Sequence, residues 1–383
     1  MKKILFFLIA IFLIPQFVSA GSVAVPTQND LIARYASGGT IKVLIVPGHS
    51  DLYPGAIFGK IREADMTRVL AQRLADNLAR DPHFVPTVLR TEEGYIKEFL
   101  DYYLTKTEEV DDFMNSHIRS THRQIKKGEI VVSTQAPHNK VSDDITNKLY
   151  SINKWAGERG YDMVINLHFN DNWPRSQSAR GPYSGFSVYV PETGLVNAES
   201  GQALGRYIAK RLDENLDLSN QPVEIRETDD TGVIEDFGLI AIGSYNTLEI
   251  PSVVIENSYI YESWLSPKFF QFSSGLLAEI LGNGIRDYVL GARVDAKNLT
   301  YKWQKDLVHS ENPTVDALAL QLALSELGFY PPKGKNRDDC SLTGIFWNCT
   351  EASIKEFQSS KGIKTTGIFG PMTREVMNLI FSK

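Results

Sequence analysis

The sequence contains little cysteine and no excess of positive charge. Its 383 residues include 2 cysteines, and 40 Lys and Arg stand against 46 Asp and Glu, for a formal net charge of −6. A nucleic-acid-binding surface is normally basic, so this balance argues against nucleic acid as a main partner. Past the N-terminus no apolar run reaches the ~20 residues that a membrane span requires, which excludes a polytopic membrane protein.

The single long apolar run lies at the N-terminus and is typical of an export signal. Lys2 and Lys3 precede an apolar stretch from Ile4 to Phe17, and Val18-Ser19-Ala20 places small residues where a signal peptidase reads. A retained anchor is the alternative, but the run is short and no stop-transfer pattern follows. We therefore predict a signal peptide over residues 1–20, export to the periplasm or the extracellular cell wall, and no membrane partner after cleavage.

The two cysteines, Cys340 and Cys349, lie nine positions apart. A close pair in an exported protein is more often a disulfide than a metal site. A thiolate zinc site would require further Cys or His residues beside the pair, and the sequence has none there. We predict a disulfide that closes a local loop.

Hydrophobic patterning divides the mature chain into a large α/β region, residues 41–291, and a small C-terminal unit, residues 313–383. Apolar runs alternate with helical periodicity in the large region, which predicts a mostly parallel sheet flanked by helices on both faces. The charged segment 97–143 is predicted to be a largely helical insert, and the polar segment 292–312 to be a linker. The predicted strands are 41–46, 84–89, 163–167, 186–190 and 251–255, and the predicted helices are 66–78, 144–158, 199–215 and 274–290.

The C-terminal unit carries an internal repeat. Thr343-Gly344-Ile345-Phe346 and Thr366-Gly367-Ile368-Phe369 are each followed, four residues after the phenylalanine, by another Thr. Glycine suits a tight turn and threonine caps helices, so each copy predicts a turn that leads into a helix. We expect a small three-helix domain, and the repeat alone does not identify a ligand.

Three predicted strands lead into residues that can bind a metal or move a proton: His49, His168 and Glu256. Glu63 opens the helix after the first strand. Ligands of open α/β sheets bind at the carboxyl ends of the strands, so these side chains can converge. Two histidines and one carboxylate form a standard catalytic zinc set, and a further carboxylate can serve as general base. Taken singly, each residue has a structural alternative: a loop position for His49, a core position for His168, a helix cap or an ion pair for Glu256, and a first-turn helix position for Glu63.

The same residues carry a resemblance to the zinc-dependent N-acetylmuramoyl-L-alanine amidases. The segments that resemble this family are Ile45-Val46-Pro47-Gly48-His49, Arg62-Glu63-Ala64-Asp65, Val88-Leu89-Arg90-Thr91, Ile165-Asn166-Leu167-His168 and Val253-Val254-Ile255-Glu256-Asn257. The resemblance implies that His49, Glu63 and His168 bind Zn²⁺ and that Glu256 is the catalytic residue. The chain departs from the family pattern at Val46, at Ser50-Asp51, at Phe169 and after Glu256.

Residues 313–381 resemble a peptidoglycan-binding domain of the three-helix type, which implies peptidoglycan as partner. Together the two resemblances predict an enzyme, expected to be a monomer, that cleaves the amide between N-acetylmuramic acid and L-alanine while its C-terminal domain tethers it to the wall. Two alternatives remain at this point. One is a zinc peptidase acting on stem peptides, and the other is a catalytically inactive wall-binding regulator.

Overall fold

A computed structural model describes residues 25–132, 142–172, 174–227 and 231–382. The predicted signal peptide, residues 1–20, lies outside the described residues, as does part of the predicted insert. None of the described helices is both long enough and apolar enough to cross a membrane. The strands are β1 (Ile41–Pro47), β2 (Ile57–Phe58), β3 (Ile61–Arg62), β4 (Phe84–Val88), β5 (Arg90–Thr91), β6 (Gly94–Tyr95), β7 (Met163–Asn170), β8 (Ser187–Pro191), β9 (Val233–Asp236) and β10 (Ser252–Tyr259). The α-helices are α1 (Gln28–Ala36), α2 (Glu63–Leu78), α3 (Lys97–Thr105), α4 (Thr107–Lys126), α5 (Asp143–Glu158), α6 (Ala198–Asp213), α7 (Pro222–Glu227), α8 (Phe270–Leu290), α9 (Val315–Glu326), α10 (Asn348–Ser360) and α11 (Pro371–Phe381).

Six strands form one sheet in the order β4-β1-β7-β10-β8-β9. The first four run parallel, β8 is antiparallel to β10, and β9 is parallel to β8. Successive side chains of β1 point to opposite faces. Val43 and Ile45 therefore join the core formed with α2, α6 and α8, while Leu44 and Val46 join the core formed with α3 and α5. The prediction of a mostly parallel sheet covered on both faces is confirmed.

Two of the central strands are longer than their apolar runs predicted. The sequence placed strand ends at Leu167 and Ile255, but β7 continues to Asn170 and β10 to Tyr259. The extensions pair with one another, with Glu256 opposite His168 in the register. Main-chain pairing therefore places His168 and Glu256 within the strands. The apolar pattern did not predict this, because it ends before both residues.

The C-terminal unit is built from two equivalent helix–turn modules. In the first, the amide of Gln321 on α9 holds the turn 343–346, and in the second the amide of Gln358 on α10 holds the turn 366–369. Each glutamine Oε1 accepts the N–H of the turn glycine at 2.9 Å, and each Nε2 donates to the isoleucine carbonyl. The sequence repeat is therefore also a structural repeat, and a buried glutamine fixes each turn.

The segment 292–312 is packed against the helical unit. Leu299, Trp303 and Leu307 are buried, and the Trp303 Nε1–H donates to the Asp316 carbonyl at 2.9 Å. Their side chains belong to the same hydrophobic cluster as α8 and α9. A segment without helical periodicity therefore joins the two parts of the chain through buried contacts, although its polar composition predicted a linker.

Candidate active site

His49 lies in the turn that follows β1, and hydrogen bonds from two side chains fix the main chain of this turn. The Gly48 carbonyl accepts a hydrogen bond from Thr67 Oγ1 at 2.8 Å and another from Arg90 Nη2 at 3.2 Å. His49 itself has a φ of 64°, a left-handed conformation that a non-glycine residue adopts only when its surroundings impose it. These contacts fix the turn in a conformation that places the His49 imidazole beside the Glu63 carboxylate.

Glu63 is the first residue of α2, and its carboxylate is buried, with 3 % of the residue exposed. Its Oε2 accepts the N–H of Ala56 at 2.9 Å, and its Oε1 accepts the N–H of Phe169 at 3.1 Å. The second bond comes from the residue after His168, so the carboxylate is fixed directly to the strand that carries the second histidine.

The carboxylate of Glu63 lies between the two imidazoles. Its Oε2 is 3.0 Å from His49 Nε2 and its Oε1 is 3.1 Å from His168 Nδ1. One possible ligand atom from each of the three residues lies within 4.8 Å of the others. Burial raises the pKa of Glu63, but the charge of His49 and the hydrogen bonds from both histidines outweigh it and hold that pKa well below its ordinary value. The carboxylate is therefore ionised, as a metal ligand must be.

Two glycines leave the space that these ligands occupy. A Cβ atom on Gly48 would lie 2.4 Å from the His168 ring, and one on Gly55 would lie 2.4 Å from Glu63 Oε2 and 2.5 Å from His49. Gly55 also has a φ of +72°, which favours glycine. Two imidazoles and one carboxylate in this confined arrangement match the ligand chemistry of a catalytic zinc site.

Glu256 reaches the same sheet edge from β10, with His168 opposite it on one side and Ser187 on the other. Its Oε2 is buried and has no hydrogen-bond partner among the described residues. Burial, followed by the charges of Glu63 and Glu224, raises the pKa of Glu256 well above its ordinary value. An unpartnered carboxyl oxygen beside three possible metal ligands is suited to exchanging a proton with a bound substrate.

The buried carboxylate of Glu224 was missed by the sequence analysis. It is 4 % exposed and accepts hydrogen bonds from Asn170 at 2.8 Å, Tyr189 at 2.9 Å and Ser187 at 3.2 Å. These donors lie on β7 and β8, on either side of β10. The residues around Glu224 in the sequence form no recognisable motif, and nothing in this short segment distinguishes Glu224 from the neighbouring Glu227.

Two departures from the family pattern have a structural explanation. Asn257 follows Glu256 and is fully buried, and its Nδ2 donates to the His168 carbonyl at 3.0 Å. This bond links β10 to the histidine-bearing strand. The neighbouring Phe169 is also buried, and it packs edge-to-face against Phe270 at 6.2 Å. Asn257 and Phe169 therefore both help to fix the strands that carry His168 and Glu256.

The two cysteines lie far from this site in the sequence, in the C-terminal unit. Cys340 and Cys349 are joined by a disulfide, with their Cα atoms 5.8 Å apart. Just before this loop, Arg337 forms an ion pair with Asp217 of the α/β region at 3.1 Å.

Comparison with known proteins identifies both parts of the chain. Residues 43–263 match the N-acetylmuramoyl-L-alanine amidase family, and residues 315–377 match a peptidoglycan binding domain family. No curated protein matches the chain.

Similar solved structures include three amidases of low sequence identity. They are N-acetylmuramoyl-L-alanine amidase from Clostridium difficile 630 (15 % identity, 66 % of this chain and 97 % of that chain, TM-score 0.40), the catalytic domain of CwlV from Bacillus (Paenibacillus) polymyxa var. colistinus (14 %, 65 % and 98 %, 0.41) and AmiC2 of Nostoc punctiforme (16 %, 66 % and 98 %, 0.40).

The family match supplies what the geometry alone does not, which is the reaction. It spans more than half of the chain and includes His49, Glu63, His168 and Glu256. The second match covers α9, α10 and the first part of α11. The chain is thus a member of the N-acetylmuramoyl-L-alanine amidase family, an enzyme that acts on peptidoglycan and carries a peptidoglycan-binding domain.

Proposed function

We propose that His49, Glu63 and His168 hold a zinc ion and that Glu256 is the general base of the amidase reaction. The observation that carries the proposal is the convergence of two imidazoles and one ionised carboxylate to within 4.8 Å. Zinc bound there would supply a Lewis acid for the substrate carbonyl and would lower the pKa of a water toward neutrality.

The protein side chains then have separate tasks. Glu63 stays ionised and fixes both imidazoles through its two oxygens. The positive charge of a bound metal would favour the ionised form of Glu256 despite its burial. Glu256 would then accept a proton from the attacking water at its unpartnered oxygen and return that proton to the nitrogen of L-alanine as the amide breaks. Glu224 is already saturated by neighbouring donors, so its role is to hold the strands on either side of Glu256.

Complete retention of these four side chains favours an active enzyme over an inactive wall-binding regulator. We expect the mature chain to act as an exported monomer, in the periplasm or the extracellular cell wall, with residues 313–383 retaining it on its substrate. Analytical ultracentrifugation of the purified mature protein tests whether it is a monomer.

Mass spectrometry of purified peptidoglycan digested by the mature protein tests the reaction. We expect free stem peptides that begin with L-alanine, together with glycan strands that have lost their peptides. Zinc chelation should stop product release, and added zinc should restore it. Cleavage within the stem peptide, as a zinc peptidase would produce, contradicts the proposal, as does full activity in the chelated protein.

A further inference from the structure

Two apolar side chains are exposed in the turn that directly follows His49. Leu52 is 85 % exposed and Tyr53 is 43 % exposed. Exposed apolar side chains are common on protein surfaces, so their exposure alone does not assign a function. Their position does, because three residues of chain cannot carry Leu52 more than about 11 Å from His49. We define residues 50–53 as the rim turn.

Hydrogen bonds and an ion pair fix the main chain of the rim turn. The Ser50 N–H donates to the Tyr53 carbonyl at 3.0 Å, and the Tyr53 N–H donates to Ser50 Oγ at 3.3 Å. Asp51 forms an ion pair at 3.2 Å with Arg62, the residue before Glu63. Ser50 and Asp51 are also positions at which the chain departs from the family pattern. The turn is therefore a preorganised feature of this chain, and a ligand that contacts it pays little of the entropic cost of ordering it.

The side chains of His168 and Glu256 point to one face of the sheet. Along β7, Leu167 and Phe169 belong to the core formed with α2, α6 and α8. Successive side chains of a strand alternate between faces, so His168 points to the face that α3 and α5 cover, as Val164 of the same strand does. Glu256 is the register partner of His168 and shares this face.

The rim turn borders the same face. Burial and the hydrogen bond to Asp144 raise the pKa of Tyr103 on α3 to about 12, and Tyr53 makes a smaller contribution to this rise. Tyr53 therefore lies near α3. Since α3 covers the face to which His168 and Glu256 point, the rim turn lies beside the candidate active site, on the side of β1.

The order of the strands determines which half of the substrate meets the rim turn. β1, β7 and β10 are neighbours in this order, so His49, His168 and Glu256 follow one another along the edge of the sheet. In the proposed reaction Glu256 returns a proton to the nitrogen of L-alanine, which places the peptide half of the amide toward β10. The acyl half, made of the lactyl group and its sugar, therefore extends toward β1 and the rim turn.

We propose that Leu52 and Tyr53 bind the N-acetylmuramic acid ring and make hydrolysis depend on this sugar. The ring begins only a few bonds from the scissile carbonyl, so it is the first large group that extends toward the turn. A pyranose ring has an apolar C–H face with polar edges, which complements an aromatic ring and an aliphatic side chain. The inference rests on the proposed function, because the role of Glu256 sets the direction of the substrate.

Hydrolysis of two soluble substrates by the full-length mature protein tests the proposal. One is an N-acetylmuramoyl-L-alanyl peptide, and the other is the matching lactyl-L-alanyl peptide, which has the same amide but lacks the sugar. We expect Leu52→Ala and Tyr53→Ala each to raise KM for the muramoyl substrate about three- to tenfold. The kcat should not change, because this contact is equally strong in the bound substrate and in the transition state. For the lactyl substrate, neither variant should differ from the unsubstituted protein.

Two further variants serve as controls. Tyr53→Phe should keep the KM of the unsubstituted protein, because the ring and not the hydroxyl makes the contact. Leu379→Ala removes an equivalent side chain from α11 of the C-terminal unit, where Leu379 is 63 % exposed, and should change neither KM nor kcat. All variants should bind zinc as the unsubstituted protein does.

Two kinetic results overturn the proposal. One is an unchanged KM of Leu52→Ala and Tyr53→Ala for the muramoyl substrate. The other is an equal rise in KM for both substrates, because the turn would then act on the amide or on His49 and not on the sugar. Failure of the proposed function differs from both, since the unsubstituted protein would then release no peptide from either substrate. Calorimetric affinity for the muramoyl substrate decides in that case: weaker binding by Leu52→Ala supports the contact, and unchanged binding overturns it.

Discussion

Substitution of Gly55 by alanine should disable the metal site without touching a ligand. The new Cβ would lie 2.4 Å from Glu63 Oε2 and 2.5 Å from His49, whereas ordinary contacts begin near 3.4 Å. The carboxylate or the imidazole must therefore retreat by about 1 Å, because overlap at this distance is strongly repulsive. Neither group can move freely, since Glu63 is held by two backbone N–H groups and His49 by its anchored turn.

The expected loss of zinc affinity is large for the addition of a single methyl group. Displacement of this kind resembles the removal of a group that orients a metal ligand, which typically lowers metal affinity by ~10–100-fold. Alanine at a left-handed φ also lowers the free energy of unfolding by ~1–2 kcal/mol. These two effects must be separated, because destabilisation alone could also reduce activity.

Gly59→Ala provides the matched control. Gly59 lies only four residues away with a φ of +60°, but a Cβ there meets no atom within 4 Å. Gly55→Ala should lose at least as much stability as Gly59→Ala in urea unfolding of the metal-free protein, and only Gly55→Ala should lose zinc affinity in a competition titration with a chelator. Equal zinc affinities for the two variants would refute the claim that the absence of a side chain at Gly55 makes room for the metal ligands.

Three further predictions follow from the packing around the site and the C-terminal unit. Arg90→Lys should weaken zinc binding roughly tenfold with little change in KM. The reason is that a lysine cannot reproduce both hydrogen bonds from Arg90 Nη2, to the carbonyls of Gly48 and Ala64. Unchanged zinc affinity in this variant would contradict the proposed role of Arg90. Replacing Cys340 and Cys349 together by serine should lower the free energy of unfolding by about 2–3 kcal/mol, and two free thiols in exported native protein would show that the bond does not form. Trp303→Ala should cost about 3–5 kcal/mol in urea unfolding, whereas a loss below ~1 kcal/mol would show that the segment 292–312 is not packed.

Much of the site could be predicted because its residues follow strongly patterned elements. The apolar runs before His49, His168 and Glu256 indicated parallel strands, and parallel strands present their carboxyl ends at one edge. That reasoning predicted a common edge for these side chains, and in the structure His49, Glu63 and His168 lie together there, with Glu256 opposite His168. The assignment of zinc ligands and general base stays a prediction until metal and activity are measured.

The supporting residues could not be predicted for a physical reason. Gly48, Gly55 and Glu224 act through close approach and hydrogen bonds between segments that are distant in sequence, and such contacts leave no periodic pattern. The packing of segment 292–312 was missed for a similar reason, because a few buried side chains such as Trp303 are spaced irregularly among polar ones. Periodicity detects secondary structure and does not detect the irregular chain that packs against it.

The measurement that tests the central claim most directly is zinc content and amidase turnover in Glu256→Gln. The substitution preserves the size of the side chain but removes its capacity to accept a proton. If Glu256 is the general base and His49, Glu63 and His168 hold the metal, the variant should retain one zinc per chain and lose turnover by ~10²–10⁴-fold. Loss of the zinc would make Glu256 a ligand, and full activity would place the base elsewhere; either result contradicts the account.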